Sequence, residues 1–185
     1  MISATEKLNL VTGEILNNVI KFNENDKLYL REIVSKWIEF QKQMNSLGSR
    51  KLSIPGEVIE AIVCIEKGYW KVDMVEMINR IGFDLYDPKD LVKNRIEVKI
   101  IRNRIGKVLL QNINSIDKLV VVNLFFENNS SLYYELYEYD VEQFKLYAKD
   151  IRGVNCMKSL HQDKYMIDAR IFQSHIEDSV VTGVL

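Results

Sequence analysis

The chain has 185 residues, 47% of them hydrophobic and 28% charged, with 8 Gly and 2 Pro. That is the composition of one ordinary globular domain and excludes a disordered or fibrous chain and a second large domain. Twenty-five Lys and Arg against 26 Asp and Glu leave a formal charge of −1, so a polyanionic partner must be held by a local patch and not by the overall field.

In chain order, Leu8, Val11, Ile15, Val19 and Phe22 recur with a period near 3.6, as do Leu30, Ile33, Val34, Trp37, Ile38 and Met44. With a break at Asn23 to Asp26 and a stop at Gly48, this spacing predicts an N-terminal helical hairpin over 1–50. Pro55 suits the first turn of a third helix, which runs through Val58, Ile59, Ile62 and Val63 toward Ile78 and leaves open whether Gly68 interrupts it. After Gly82 the pattern alternates. Phe83 to Tyr86 and Arg95 to Ile101, joined by the turn residues Asp87, Pro88, Lys89 and Asp90, predict a β-hairpin. Lys107 to Ile113, the strongly apolar and hence central Lys118 to Phe126, and Leu132 to Tyr139 predict further strands. Asp140 with Gln143 forms a capping-box pattern for a helix ending near Lys149, and Tyr165 to Phe172 adds a last strand. The expected fold class is α/β in the broad sense (α+β): a mixed β-sheet flanked by helices, in one domain with a helical segment at 1–50, a core at 51–150 and an extension at 151–185.

Two cysteines, Cys64 and Cys156, make no disulfide framework, and Cys64 among Ala61, Ile62, Val63 and Ile65 reads as a buried thiol. His161 and His175 lack a second ligand at i,i+4, which leaves little for zinc or a His-dependent triad. No apolar run is long enough to span a bilayer, so a soluble cytoplasmic protein without a membrane partner is expected.

The chemistry concentrates on the predicted hairpin. In Ile96-Glu97-Val98-Lys99-Ile100 the two charged residues are two apart, so a strand displays both on one face and the apolar three on the other. Asp84 lies thirteen positions before Glu97 on the partner strand, where pairing brings the two carboxylates together. Close carboxylates repel unless they share a proton or a divalent cation, and hard oxygen ligands of this kind suit Mg²⁺. A neighbouring ammonium offsets charge developing on a phosphate. The alternative is that Arg95, Glu97 and Lys99 are a solvated strand face. The bare spacing recurs in Asp87-Pro88-Lys89, where Pro88 marks a turn.

These residues resemble the PD-(D/E)xK nuclease superfamily, and most of all type II restriction endonucleases. The resemblance runs from Gly56-Glu57 through Gly82-Phe83-Asp84 to Glu97-Val98-Lys99, and on through Asp117 to Val122 and Glu135 to Tyr137, covering roughly residues 50 to 150. It implies a restriction-endonuclease-like core, with Asp84 and Glu97 as metal ligands, Lys99 as the catalytic lysine and Glu57 or Glu60 as a further acidic group from the helix. Phe83 stands where the motif carries Pro, and Asp87-Pro88 inverts the motif's order; Asp87 is the weaker candidate, since a continuing strand turns it to the other face.

Between Lys89 and Lys107 stand seven basic residues, Lys89, Lys93, Arg95, Lys99, Arg102, Arg104 and Lys107, against Asp90 and Glu97. Arg102, Arg104 and Lys107, with Arg50 and Lys51 before the third helix, are candidate phosphate contacts, which position a duplex without reading its sequence. The bland reading is solvated turns. Tyr133, Tyr134, Tyr137 and Tyr139 read as core packing in preference to base stacking. Asn155, Lys158, Gln162 and Lys164 are guesses for base contacts.

The resemblance implies Mg²⁺-dependent cutting of double-stranded DNA at a short specific site to leave 5′-phosphate ends. It further implies a homodimer and a cognate DNA methyltransferase in the same system. The alternatives are a structure-selective nuclease of the same fold, of Holliday-junction-resolvase or repair type, and a non-catalytic DNA-binding module.

Overall fold

The computed structural model describes residues 1–10, 12–48, 53–73, 82–103, 105, 107–110, 113–127, 131–142, 156–158, 165–168 and 181–184. The chain opens with strands β1 (Ile2–Leu10) and β2 (Gly13–Lys21), followed by helices α1 (Asp26–Ser46) and α2 (Gly56–Lys67). Then come β3 (Trp70–Val72), β4 (Leu85–Tyr86), β5 (Arg95–Arg102), β6 (Lys107–Leu110), a 3-10 turn at Ile113–Ser115, β7 (Lys118–Glu127) and β8 (Ser131–Asp140). Short strands β9 (Cys156–Lys158), β10 (Tyr165–Asp168) and β11 (Val181–Val184) close the described chain.

The first half of the expected helical hairpin is a β-hairpin, so 1–50 is not a helical segment. Leu8 and Ile15, seven apart, are direct partners across it, and Ala4 faces Val19. The apolar spacing that mimics a helix is the cross-strand register of two strands, turned at Gly13 with φ +123°. Helix α1 forms as the spacing predicts, with Leu30, Val34 and Ile38 buried at intervals of four. Helix α2 ends at Gly68, whose φ of 75° is the left-handed C-cap that glycine accepts most easily, and its N–H closes on Cys64 O at 2.8 Å. The third helix therefore does not run on: Trp70–Val72 is a strand, and the stretch toward Ile78 lies outside the described residues.

Eight strands form one curled sheet in the order β1-β2-β3-β4-β5-β7-β8-β11, antiparallel except for the parallel pair β5–β7. The predicted 107–113 strand is shorter, and it joins a separate sheet, β6-β10-β9. The predicted helix after Asp140 starts at Val141 and Glu142, where Asp140 Oδ1 accepts the Glu142 N–H at 2.8 Å; Gln143 to Asn155 lie outside the described residues. Strand β7 is central, with Leu119 to Val122 and Leu124 fully buried.

The sheet separates two cores. On the helix side, Leu85, Ile96, Val98, Val120 and Val122 pack under α1 and α2. On the other, Leu8, Val19, Phe83, Tyr86, Leu119, Val121, Val108 and Leu110 meet as the sheet curls round. Two side chains secure that curl: Asn9 donates its N–H to Tyr86 Oη at 3.1 Å, and Asn94 Nδ2 donates to Asn9 O at 2.7 Å. Tyr134 and Tyr137 are buried in these cores, as the packing reading requires. Cys64 is a buried free thiol, and burial pushes its pKa up. Among the described residues, no helix is long and apolar enough to cross a membrane.

Candidate active site

Ile96 and Val98 of β5 are buried against the helices, so alternation turns Glu97 and Lys99 to the other face, where their side chains form an ion pair. They are 17% and 29% exposed, so both are partly covered. Strand β4 pairs with β5 through Leu85 opposite Ile96 and Tyr86 opposite Arg95, and Asp84 lies at the bend just before β4. Asp84 is clamped from both sides. Its N–H donates to Ile96 O at 2.9 Å, its carbonyl accepts the Val72 N–H at 3.2 Å, and its Oδ2 accepts the Val98 N–H at 2.8 Å.

Helix α2 brings Glu60, which pairs with Lys71 of β3, and both side chains are largely covered. Burial and the nearby Glu97 carboxylate push the Asp84 pKa up to about 6, against the pull of the Val98 N–H, Lys99 and Lys71. Glu60 also lies above its ordinary value: burial and the charges of Asp84 and Glu57 outweigh the Lys71 ammonium. The Asp84 carboxyl thus feels the Glu97 charge, and its own charge acts on Glu60.

Of the two helix candidates, Glu60 is the one on which the Asp84 charge acts; Glu57 is exposed on the first turn of α2 and acts on Glu60. Asp87, buried, accepts the Lys89 N–H at 2.9 Å through Oδ1 and pairs with Lys118 Nζ at 2.8 Å through Oδ2, which accounts for it as a turn former. Several cations of the basic run are spent internally. Arg95 forks onto Asp117, with Nε to Oδ2 at 2.9 Å and Nη2 to Oδ1 at 2.7 Å, and Lys93 pairs with Asp140. Arg102 ends β5 at a tight turn through Asn103, φ 49°, and Lys107 opens β6. Arg50, Lys51 and Arg104 lie outside the described residues, as do Asn155, Gln162, Lys164, His161 and His175.

Sequence reasoning missed Lys71. It belongs to no motif, and its partner is set by how α2 packs on β3; the available signal was Gly68 ending the helix, which turns Trp70–Val72 into a strand beside β4. Among the described residues, no group of three or more His, Cys, Asp or Glu is arranged to hold a metal ion. Compared with known proteins, the chain matches no family model, and no curated protein matches it.

Proposed function

We propose that this chain is a Mg²⁺-dependent DNA endonuclease resembling the type II restriction enzymes of the PD-(D/E)xK superfamily. The observation that carries the reading is Asp84: a half-buried carboxyl fixed by backbone bonds near Glu97, with its pKa pushed up to about 6, and Lys99 two residues beyond Glu97 on the same strand face. A carboxylate held against another in this way stores repulsion that a divalent cation relieves. The donor set fits Mg²⁺, which commonly binds through one or two carboxylates and keeps several waters, so Asp84 and Glu97 are sufficient protein ligands. When bound, Mg²⁺ supplies Lewis-acid polarisation of the phosphodiester and acidifies water.

The chain's own residues do the rest. Asp84, immobilised by Val98, keeps its carboxylate oriented at the mouth of the β4–β5 pair. Glu97 holds the Lys99 ammonium in place, and that ammonium offsets negative charge as it develops on the phosphate oxygens. Arg102, at the end of the same strand, is a candidate phosphate contact. A homodimer would set two such sites against the two strands of a duplex, each site cutting one.

The test is digestion of unmethylated phage DNA with Mg²⁺, with and without EDTA, and then end sequencing. Discrete bands with 5′-phosphate ends are expected. Cutting confined to branched junctions assigns the structure-selective class instead, and binding without cutting in any metal leaves a DNA-binding module.

A further inference from the structure

Helix α1 carries two apolar rows. One, Leu30, Val34 and Ile38, recurs every four residues and is buried in the helix-side core. The other, Trp37, Phe40, Met44 and Leu47, recurs at intervals of three, four and three, the spacing of the a and d positions of a coiled coil, and it rises out of the molecule. Trp37 is half-buried against Phe126, with ring centroids 5.6 Å apart, and Met44 is half-buried, but Phe40 and Leu47 are 49% and 80% exposed. Beyond Ile38 no residue of α1 is buried, so its last two turns have no core under them. A helix tail of that length is marginal in water by itself, and a second helix along the apolar row would support it.

We propose that this row is a self-association surface, on which a second copy of this chain docks its own α1 antiparallel about a twofold axis near Lys42. The orientation follows from where the body sits. The core contacts of α1 end at Ile38, so parallel helices would drive two bodies into the same space, while antiparallel helices set them at opposite ends. In that register Trp37 meets Leu47 of the second copy and Phe40 meets its Met44, which closes four layers. The flanks favour a second copy over a foreign helix. Gln41 and Gln43, beside the row at e and g positions, each come to face their own counterpart across the axis. A charge there would meet the same charge, whereas an amide both donates and accepts and so pairs with itself; Gln41 also donates to Asn45 at 2.9 Å one turn on, and its amide has capacity for more than one bond. Lys42, the one charge between Phe40 and Leu47, takes the outward f position. Closing the row covers roughly 700–900 Å² in total, about half of a standard interface, so a reversible dimer with a Kd of about 10–100 μM is expected. The inference goes beyond the nuclease reading and needs neither metal nor DNA.

The test is sedimentation equilibrium of the full chain from micromolar to millimolar concentration, without metal or DNA. Wild type is expected to pass from monomer to dimer, and Phe40→Glu combined with Leu47→Glu to raise the Kd at least about tenfold with an unchanged urea unfolding curve. Gln41→Glu combined with Gln43→Glu sets like charges across the axis without touching the apolar row; it should also raise the Kd, and it serves if the first variant does not fold. Under mild oxidation Gln41→Cys is expected to form a disulfide-linked dimer and Lys42→Cys is not, with wild type as the blank for Cys64 and Cys156. A wild type that stays monomeric throughout overturns the proposal, as does a dimer that survives the folded variants. A monomer that floats with vesicles of phosphatidylcholine and phosphatidylglycerol assigns the row to a lipid surface and overturns it as well. None of these outcomes touches the reading of Asp84, Glu97 and Lys99, which digestion of DNA tests separately.

Discussion

At its first residue β5 carries Arg95, whose guanidinium forks onto Asp117, while Asp117 also accepts the backbone N–H groups of Asn94 and Arg95 at 3.2 and 3.0 Å. Burial acts to raise the Asp117 pKa, but these donors outweigh it and hold the carboxyl below its ordinary value. Nearby, two backbone N–H groups and Lys118 bring Asp90 down to about 2. Near Glu97, two residues further along β5, the balance is reversed: Asp84, just before β4, rises to about 6 and Glu60 on α2 rises as well, because burial and like charge prevail over the donors offered. One end of β5 is a satisfied ion-pair network that stabilises the fold. The other keeps carboxylates at odds, a condition that a structure tolerates where a cation or a substrate is expected to join it.

The largest effect that separates the two ends is catalytic. Lys99→Ala is expected to lower single-turnover cleavage by about two to four orders of magnitude, corresponding to roughly 3 to 5 kcal/mol of transition-state stabilisation, with little change in DNA affinity measured in Ca²⁺. Cleavage of bound DNA at the wild-type rate would reduce the polar end to a feature of the strand surface.

Next in size is stability. Asp117→Ala strands the covered Arg95 guanidinium and two backbone donors, and should cost about 2 to 3 kcal/mol in urea unfolding. Asp84→Asn, in the same measurement without divalent metal at neutral pH, should be neutral or stabilising by about 1 kcal/mol, because it removes repulsion. Equal losses in both variants would erase the contrast.

The pH dependence has opposite signs at the two ends. Asp84 binds its proton more tightly folded than unfolded, so its contribution favours the folded state at low pH and is lost as pH rises from about 4 to about 6. For Asp117, with its pKa lowered, the contribution is present at neutral pH and is lost on acidification. Melting curves without metal should therefore show an Asp84-dependent decline of about 1 to 2 kcal/mol over that window, absent in Asp84→Asn. The smallest expected change is at Arg102: Arg102→Ala should weaken DNA binding about threefold to tenfold and reduce its salt slope by about 1, leaving cleavage of bound DNA unchanged.

The polar face of β5 was legible because strand alternation fixes Glu97 and Lys99 on one face whatever surrounds them, while Asp84 meets β5 from the bend before β4, through the Ile96 carbonyl and the Val98 N–H, a placement that strand alternation does not give. Lys71 was not, since no local pattern links it to Glu60 eleven positions earlier. Glu60 was separated from Glu57 only by packing, because a helix N-terminus displays both until a sheet covers one. The opening hairpin was misread for a related reason. Only Leu8 and Val19 of its strands are fully buried, so the alternation that marks a strand is weak there, while turn length sets Leu8 and Ile15 at a helix-like interval. The basic run was legible as composition alone: that Arg95 belongs to Asp117 and Lys93 to Asp140 depends on the parallel docking of β5 on β7 and on the β7–β8 pairing.

The bonds that secure the curl bear on how this protein keeps to itself. In the sheet order β1 is an end strand, and such a strand presents outward N–H and C=O groups that any extended chain can extend by pairing, the usual start of edge-to-edge aggregation. At Asn9 those two groups are already taken, the N–H by Tyr86 Oη and the C=O by Asn94 Nδ2, both from the β4–β5 hairpin of the same sheet. An incoming strand would have to break both bonds to add a rung there, and Asn94, one of the few polar side chains buried in the described molecule, would lose the partner that allows it to be buried. The curl thus works as a self-made plug on the open edge.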